Sequence, residues 1–290
     1  IAQCLVGSEM CIRDRYLLMY YCIKYRRDVV RDNLLKSFPE KSLDELIRIE
    51  KKFYHFFCDY FVETLKLTSI SKKEMRKRMV FRGVEQVEQA VHEEGHNFIF
   101  LYLGHYCNWE WIASLPYTIS PSIHCAQIYH PLYNKAVDRF FLKLRNQFGG
   151  ECIPMKNTLR RVIELKREKR PTMIGFISDQ LPKWNSMHFF VPFLHRETAV
   201  FTGAEQIGRQ VKAVYFFADI IRPRRGYYEC TFRRMEIPEV NRTEYDMTAM
   251  FMEQLEQMIR KAPQYWLWTH KRWKRTKEEW LRRQQDSTIK

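Results

Sequence analysis

Past residue 95 of this 290-residue chain, short runs of apolar, β-branched or aromatic residues alternate with stretches of helical periodicity. The runs at 98–103, 123–129, 173–178, 188–193, 211–221 and 228–234 have the length and composition of strands. The stretches at 84–93, just ahead of the first run, and at 109–115, 134–148, 159–169, 202–210 and 246–261 carry apolar residues at helical spacing. Such alternation predicts an α/β fold, a mixed β-sheet flanked by helices. Apolar residues are 46% of the chain, with ten glycines and eleven prolines, which excludes a disordered or collagen-like chain and is enough for a large core. There is no internal repeat or low-complexity linker. The simplest division is one domain over 16–290, with N-terminal helices over 16–80 and an α/β core over 81–290 that ends in a basic, aromatic C-terminus.

Residues 1–15 stand apart. They have no amphipathic period, and the string Glu9-Met10-Cys11-Ile12-Arg13-Asp14-Arg15 looks like a translated sequencing adapter. The expectation is that this stretch is not native and that the native N-terminus, with any membrane anchor, is missing. Tyr16 to Ile23, followed by Lys24-Tyr25-Arg26-Arg27, reads as the cytoplasmic end of an apolar helix that begins upstream. No apolar run approaches the roughly 20 residues of a spanning helix. Val29, Val30, Leu34, Leu35 and Phe38 continue at helical spacing up to Pro39. Ser42 with Glu45 three residues on predicts an N-cap. The helix that follows carries Leu46, Ile49, Phe53, Phe56, Phe57, Tyr60 and Phe61 mostly on one face, which is either core or a lipid-binding stripe.

Lys and Arg number 49 against 34 Asp and Glu, a formal net charge of +15, so acidic partners are expected. Between Arg260 and Arg283 nine Lys/Arg and two Glu surround Trp266, Trp268, Trp273 and Trp280. Tryptophan beside lysine and arginine suits an anionic membrane surface; burial is the other fate open to these rings, and the one expected for Trp266 and Trp268. A nucleic-acid-binding protein shares the basic composition, but the chain has no zinc-finger spacing, no aromatic RNA-binding strand motif and no basic heptad region. The eight cysteines, at positions 4, 11, 22, 58, 107, 125, 152 and 230, form no C-x-x-C pair. That argues against a structural zinc site and fits a reducing compartment.

The sharpest local feature is Gly104-His105-Tyr106-Cys107-Asn108-Trp109-Glu110, between the run at 98–103 and a helical stretch. Such a position is the C-terminal edge of a sheet, where α/β proteins place their sites. In one continuous helix residues five apart lie about 140° apart around the axis. His105 and Glu110 can meet only if His105 is in the turn and Glu110 in the first helical turn, with Asn108 as N-cap. A carboxylate on one ring nitrogen then fixes the tautomer and makes the other a base. By pattern alone such a pair is more often a satisfied structural one.

The surrounding blocks resemble the late acyltransferases of lipid A biosynthesis. Gly104 to Glu110 is similar to their H-x4-D/E signature. Tyr25-Arg26-Arg27, Asn33-Leu34 and Phe38-Pro39 look like the N-terminal helix pair of that family. Tyr129-His130-Pro131-Leu132, Asp138-Arg139 and Arg145-Asn146-Gln147-Phe148-Gly149 resemble its second block. Ser178-Asp179-Gln180, Val191-Pro192-Phe193 and the stretch from Pro263 to Lys274 follow in family order. The resemblance spans roughly 20 to 275. It departs at Phe193-Leu194-His195, where the family has Phe-Phe-Gly after the proline, and at His270-Lys271-Arg272-Trp273, where Lys replaces a planar Arg fork.

The resemblance implies a glycerolipid acyltransferase-like fold and transfer of a fatty acyl group from acyl carrier protein to a hydroxyl of a lipid A precursor, at the cytoplasmic face of the bacterial inner membrane. Another glycolipid or aminolipid acceptor would need the same chemistry. A non-catalytic membrane-surface protein is argued against by the intact motif residues. It implies His105 as base, Glu110 as its orienting partner, Arg145 and Asp179 as further catalytic groups, and Asn108, Gln180 and Arg139 as substrate contacts. For Arg145 and Asp179 the alternative is a structural ion pair. No cofactor or metal is implied, and Cys107 is not needed as a nucleophile because the thioester is already activated.

Overall fold

The computed structural model describes residues 14–236 and 244–288, so positions 1–13 of the adapter-like stretch lie outside the described residues. The helices are α1 (Arg27–Ser37), α2 (Leu43–Lys66), α3 (Lys72–Arg78), α4 (Val84–His92), α5 (Lys135–Asn146), α6 (Thr158–Glu168), α7 (Gly203–Val211), α8 (Asp246–Lys261) and α9 (Lys277–Thr288). The strands are β1 (Met79–Arg82), β2 (Phe98–Leu103), β3 (His124–Tyr129), β4 (Glu151–Pro154), β5 (Thr172–Ile177), β6 (Phe190–Phe193), β7 (Arg196–Ala199), β8 (Val214–Arg224) and β9 (Tyr227–Met235). These divide into two compact units, one of residues 63–177 and 203–247, the other of residues up to 62 with 178–202 and those from 248 on.

The first unit holds a seven-stranded mixed sheet in the order β1-β9-β8-β2-β5-β3-β4. β2 is buried at all six positions, which is what an unbroken Phe-Ile-Phe-Leu-Tyr-Leu run predicts for a strand covered on both faces. It pairs in parallel with β5 on one side and β8 on the other, and β3 and β4 extend the parallel set. β9 turns back antiparallel on β8, and β1 joins it in parallel at the edge. Gly83 sits at φ 74 between β1 and α4, where a Cβ would lie 2.7 Å from the Phe232 carbonyl oxygen, so only glycine fits. The stretch expected as a helix over 109–115 is a 3₁₀ helix, Trp109–Tyr117, with Pro116 inside it. Proline lacks the N–H that an α-helix interior needs.

The second unit is mainly helical. The Ser42 cap forms: its N–H and Oγ both reach Glu45 Oε2, at 2.9 and 2.8 Å, and the Glu45 N–H returns to Ser42 Oγ at 3.3 Å. Leu46, Phe53, Phe56, Phe57 and Tyr60 are buried, which settles that part of the α2 face as core, whereas Phe61 remains exposed. Glu50 is fully buried on the same helix and accepts from Tyr20 Oη at 2.8 Å and Arg27 Nε at 3.2 Å. The run at 188–193 is not part of the large sheet. Its strand starts at Phe190 and forms a two-stranded hairpin, β6–β7. The hairpin turns through Leu194 and His195 at φ 49 and 62, so the departure from Phe-Phe-Gly places two non-glycine residues in the left-handed region. Trp266 and Trp268 are buried, as expected for those two rings. Upstream, the helical turn at Leu18–Ile23 ends at Lys24 and Arg26, both at positive φ, before α1 begins. Among the described residues no helix is long and apolar enough to cross a membrane.

Candidate active site

The chain leaves β2 at Leu103 and bends through Gly104, His105 and Tyr106. Cys107 reverses it at φ 51, and the 3₁₀ helix starts at Trp109. His105 thus lies in the turn and Glu110 in the first turn of the following helix, the one arrangement compatible with their spacing. The half-buried His105 ring meets Trp109 edge-on, with centroids 5.0 Å apart. Glu110 is buried, and both its carboxylate oxygens accept from Arg145, at 2.8 Å from Nε and 2.6 Å from Nη2. Arg145 comes from the last turn of α5. Asn134 caps that helix by accepting the N–H groups of Ala136 and Val137. The fork-to-carboxylate geometry locks both side chains, which a single-point contact would not do.

The other expected site residues distribute unevenly. Arg139 is exposed on α5. Asn108 is fully buried, and its side-chain amide donates to Glu63 Oε2 at 2.8 Å. Cys107 is fully buried too, and burial pushes its thiol well above the ordinary range, which disfavours the nucleophilic thiolate. Asp179 and Gln180 follow β5 within the helical unit. There Asp179 is buried and its Oδ2 accepts from Trp266 Nε1 at 2.8 Å. Arg272 of the same unit is also buried. Burial pulls its guanidinium down to about 10, and the charge of Asp179 opposes that fall.

Two groups escaped the sequence reading. Glu63 falls three residues after Tyr60 and seven after Phe56, on the apolar stripe of α2, and a carboxylate at a core position was the available signal. Arg272 lies inside the C-terminal block, where charge had been assigned to the surface.

A pocket lies against the sheet beside the motif, and its roughly 530 Å3 of space outside protein atoms includes open solvent. Trp109, Leu103 and Ile177 line it at the C-terminal ends of the strands. Met173 and Cys125, paired in register on β5 and β3, line it farther back, next to Glu151. From Ile177 to Met173 the strand spans roughly 13 Å. The walls are mostly apolar. Glu151 at the far end is fixed by His124 Nε2 at 2.7 Å and Arg161 Nε at 2.8 Å. Among the described residues no three His, Cys, Asp or Glu side chains gather as a metal ion would require. The arrangement offers a histidine, a carboxylate held by a guanidinium, and a mostly apolar cleft beside them.

The chain matches the family model for bacterial lipid A biosynthesis acyltransferases over residues 13–275. It is also similar to the lipid A biosynthesis acyltransferase of Haemophilus influenzae, 25% identical over 249 residues, which cover 84% of this chain and 74% of that relative. With the matched span running through the H-x4-E turn, Arg145, Asp179 and the C-terminal block, this chain belongs to the bacterial lipid A biosynthesis acyltransferases.

Proposed function

We propose that this acyltransferase moves a fatty acyl group from the thioester of acyl carrier protein to a hydroxyl of a lipid A precursor, at the cytoplasmic face of the bacterial inner membrane. The observation that carries the reading is the junction at Trp109, which touches the His105 ring and lines the apolar pocket. An acyl chain lying in that pocket brings its thioester end to the histidine.

His105 takes the proton of the acceptor hydroxyl as its oxygen bonds to the thioester carbon. The carbonyl becomes a tetrahedral oxyanion, which the Arg145 guanidinium stabilises. Collapse re-forms the carbonyl, breaks the C–S bond, and the departing sulfur takes the proton from His105. The acyl group never bonds to the enzyme, consistent with the buried thiol of Cys107. Glu110, gripped by Arg145, orients the histidine. Arg139, exposed on α5, contacts the phosphorylated acceptor. The net charge of +15 attracts the acidic carrier and the anionic membrane surface.

The test is a matrix of donors and acceptors in detergent micelles. Labelled acyl carrier thioester and the matching coenzyme A thioester are each offered with a lipid A precursor, a different glycolipid and an aminolipid. The proposal expects the carrier thioester and the lipid A precursor to give the highest kcat/KM. Faster transfer to another acceptor, or from coenzyme A, overturns that part of it.

A further inference from the structure

We infer that Glu63 is a positioning residue for this reaction: with Arg222 and Tyr228 it clamps Asn108, and through Asn108 the turn that carries His105 and Glu110. The inference rests on the acyl-transfer reading above and adds to it a group outside the motif.

Glu63 stands in the last turn of α2, buried beneath the motif turn. Its Oε2 accepts from Asn108 Nδ2 at 2.8 Å and from Tyr228 Oη at 2.6 Å. Its Oε1 accepts from Arg222 Nη2 at 3.5 Å, and its main-chain carbonyl accepts from Trp111 Nε1 at 3.3 Å. The clamp therefore holds the chain on both sides of Glu110, at Asn108 and at Trp111. Burying a carboxylate is costly unless it is paired and hydrogen-bonded, and an apolar residue would pack at this helix position more cheaply. The network instead secures a backbone that needs securing. Cys107 is a non-glycine residue at φ 51, a conformation that persists only where the surroundings over-determine it. Asn108 is the next residue, and it is fully buried. Its place in the motif is thus explained by an inward bond and not by substrate contact.

The test compares Glu63→Gln, Asn108→Asp and the double variant, in the full chain in detergent micelles. Asn108→Asp alone sets two carboxylates together, while the double variant exchanges amide and carboxylate and restores a donor–acceptor pair. Each single change should lower kcat about ten- to hundredfold, the scale of a small misplacement of a catalytic group, with KM for both substrates within about twofold. The double variant should recover about tenfold over Asn108→Asp. Amide hydrogen exchange over 104–110 should rise in the singles and fall back in the double, with β2 and β5 protected throughout. Unchanged kcat in both singles, or a double variant worse than either, overturns the inference. If the wild type transfers no acyl group from any donor, the acyl-transfer reading fails, and exchange still decides: an unchanged profile over 104–110 in the singles overturns the clamp.

Discussion

Two N–H bonds tie the Arg145 guanidinium to Glu110, so the carboxylate of the motif is fixed by a partner 35 residues away in sequence. Arg145→Lys keeps the positive charge and loses the planar fork. It should lower kcat about hundredfold while the chain stays folded, measured by steady-state transfer beside a thermal melt. A variant as fast as wild type would show that charge alone suffices. Cys107 makes the opposite prediction. Its raised thiol and full burial disfavour a covalent intermediate, so Cys107→Ala should retain transfer within about threefold. Peptide mapping after brief iodoacetamide treatment of the native protein should find the exposed Cys22 labelled and Cys107 unlabelled. At this scale the sequence placed His105 and Glu110 in their turn because a five-residue spacing leaves one arrangement. It could not show Glu63, because the bonds that define Glu63 come from residues 45 and 165 positions away.

β5 forms one wall of the pocket, and Gly175 sits midway along that wall. A Cβ there would meet Leu103 Cδ2 at 3.7 Å and the Ala126 carbonyl oxygen at 3.8 Å, ordinary contacts, so the sheet tolerates a side chain and the pocket loses the space. Gly175→Val should therefore leave the fold intact and shift preference toward shorter acyl chains, read by competing carrier thioesters of different length. An unchanged chain-length profile would remove this cleft as the acyl site. The long strands were legible because β2 is an unbroken apolar run and β8 opens on one, Val214 to Ala218, that resumes at Ile220 and Ile221 after Asp219. β1, β4 and β7 were not. Each has four residues, β1 follows a basic helix, and β4 starts after two glycines and ends at Pro154 on the sheet edge. Edge strands are permitted such residues, and their pairing comes from neighbours distant in sequence.

Over the whole molecule, the charge of +15 belongs to no single contact. If it steers an acidic carrier to the enzyme, kcat/KM for the carrier thioester should fall about tenfold between about 10 mM and 0.3 M salt, with kcat nearly constant, because screening acts on encounter. A flat salt response in stopped-flow or steady-state assays would contradict steering. Composition made a basic protein legible, the alternation of strand-like and helical stretches its α/β class, and the ordered blocks its family. Division into a sheet unit and a helical unit was not legible, because the segments 63–177 and 203–247 that make up the sheet unit are interrupted by residues of the other. The central claim is that the turn after β2 performs acyl transfer with His105 as its base. The most direct measurement is transfer of a labelled acyl group from acyl carrier protein to the lipid A precursor, wild type beside His105→Ala, with both proteins shown to be folded. Loss of the base predicts a rate at least about hundredfold lower in the variant. Transfer by the variant at the wild-type rate would contradict the account.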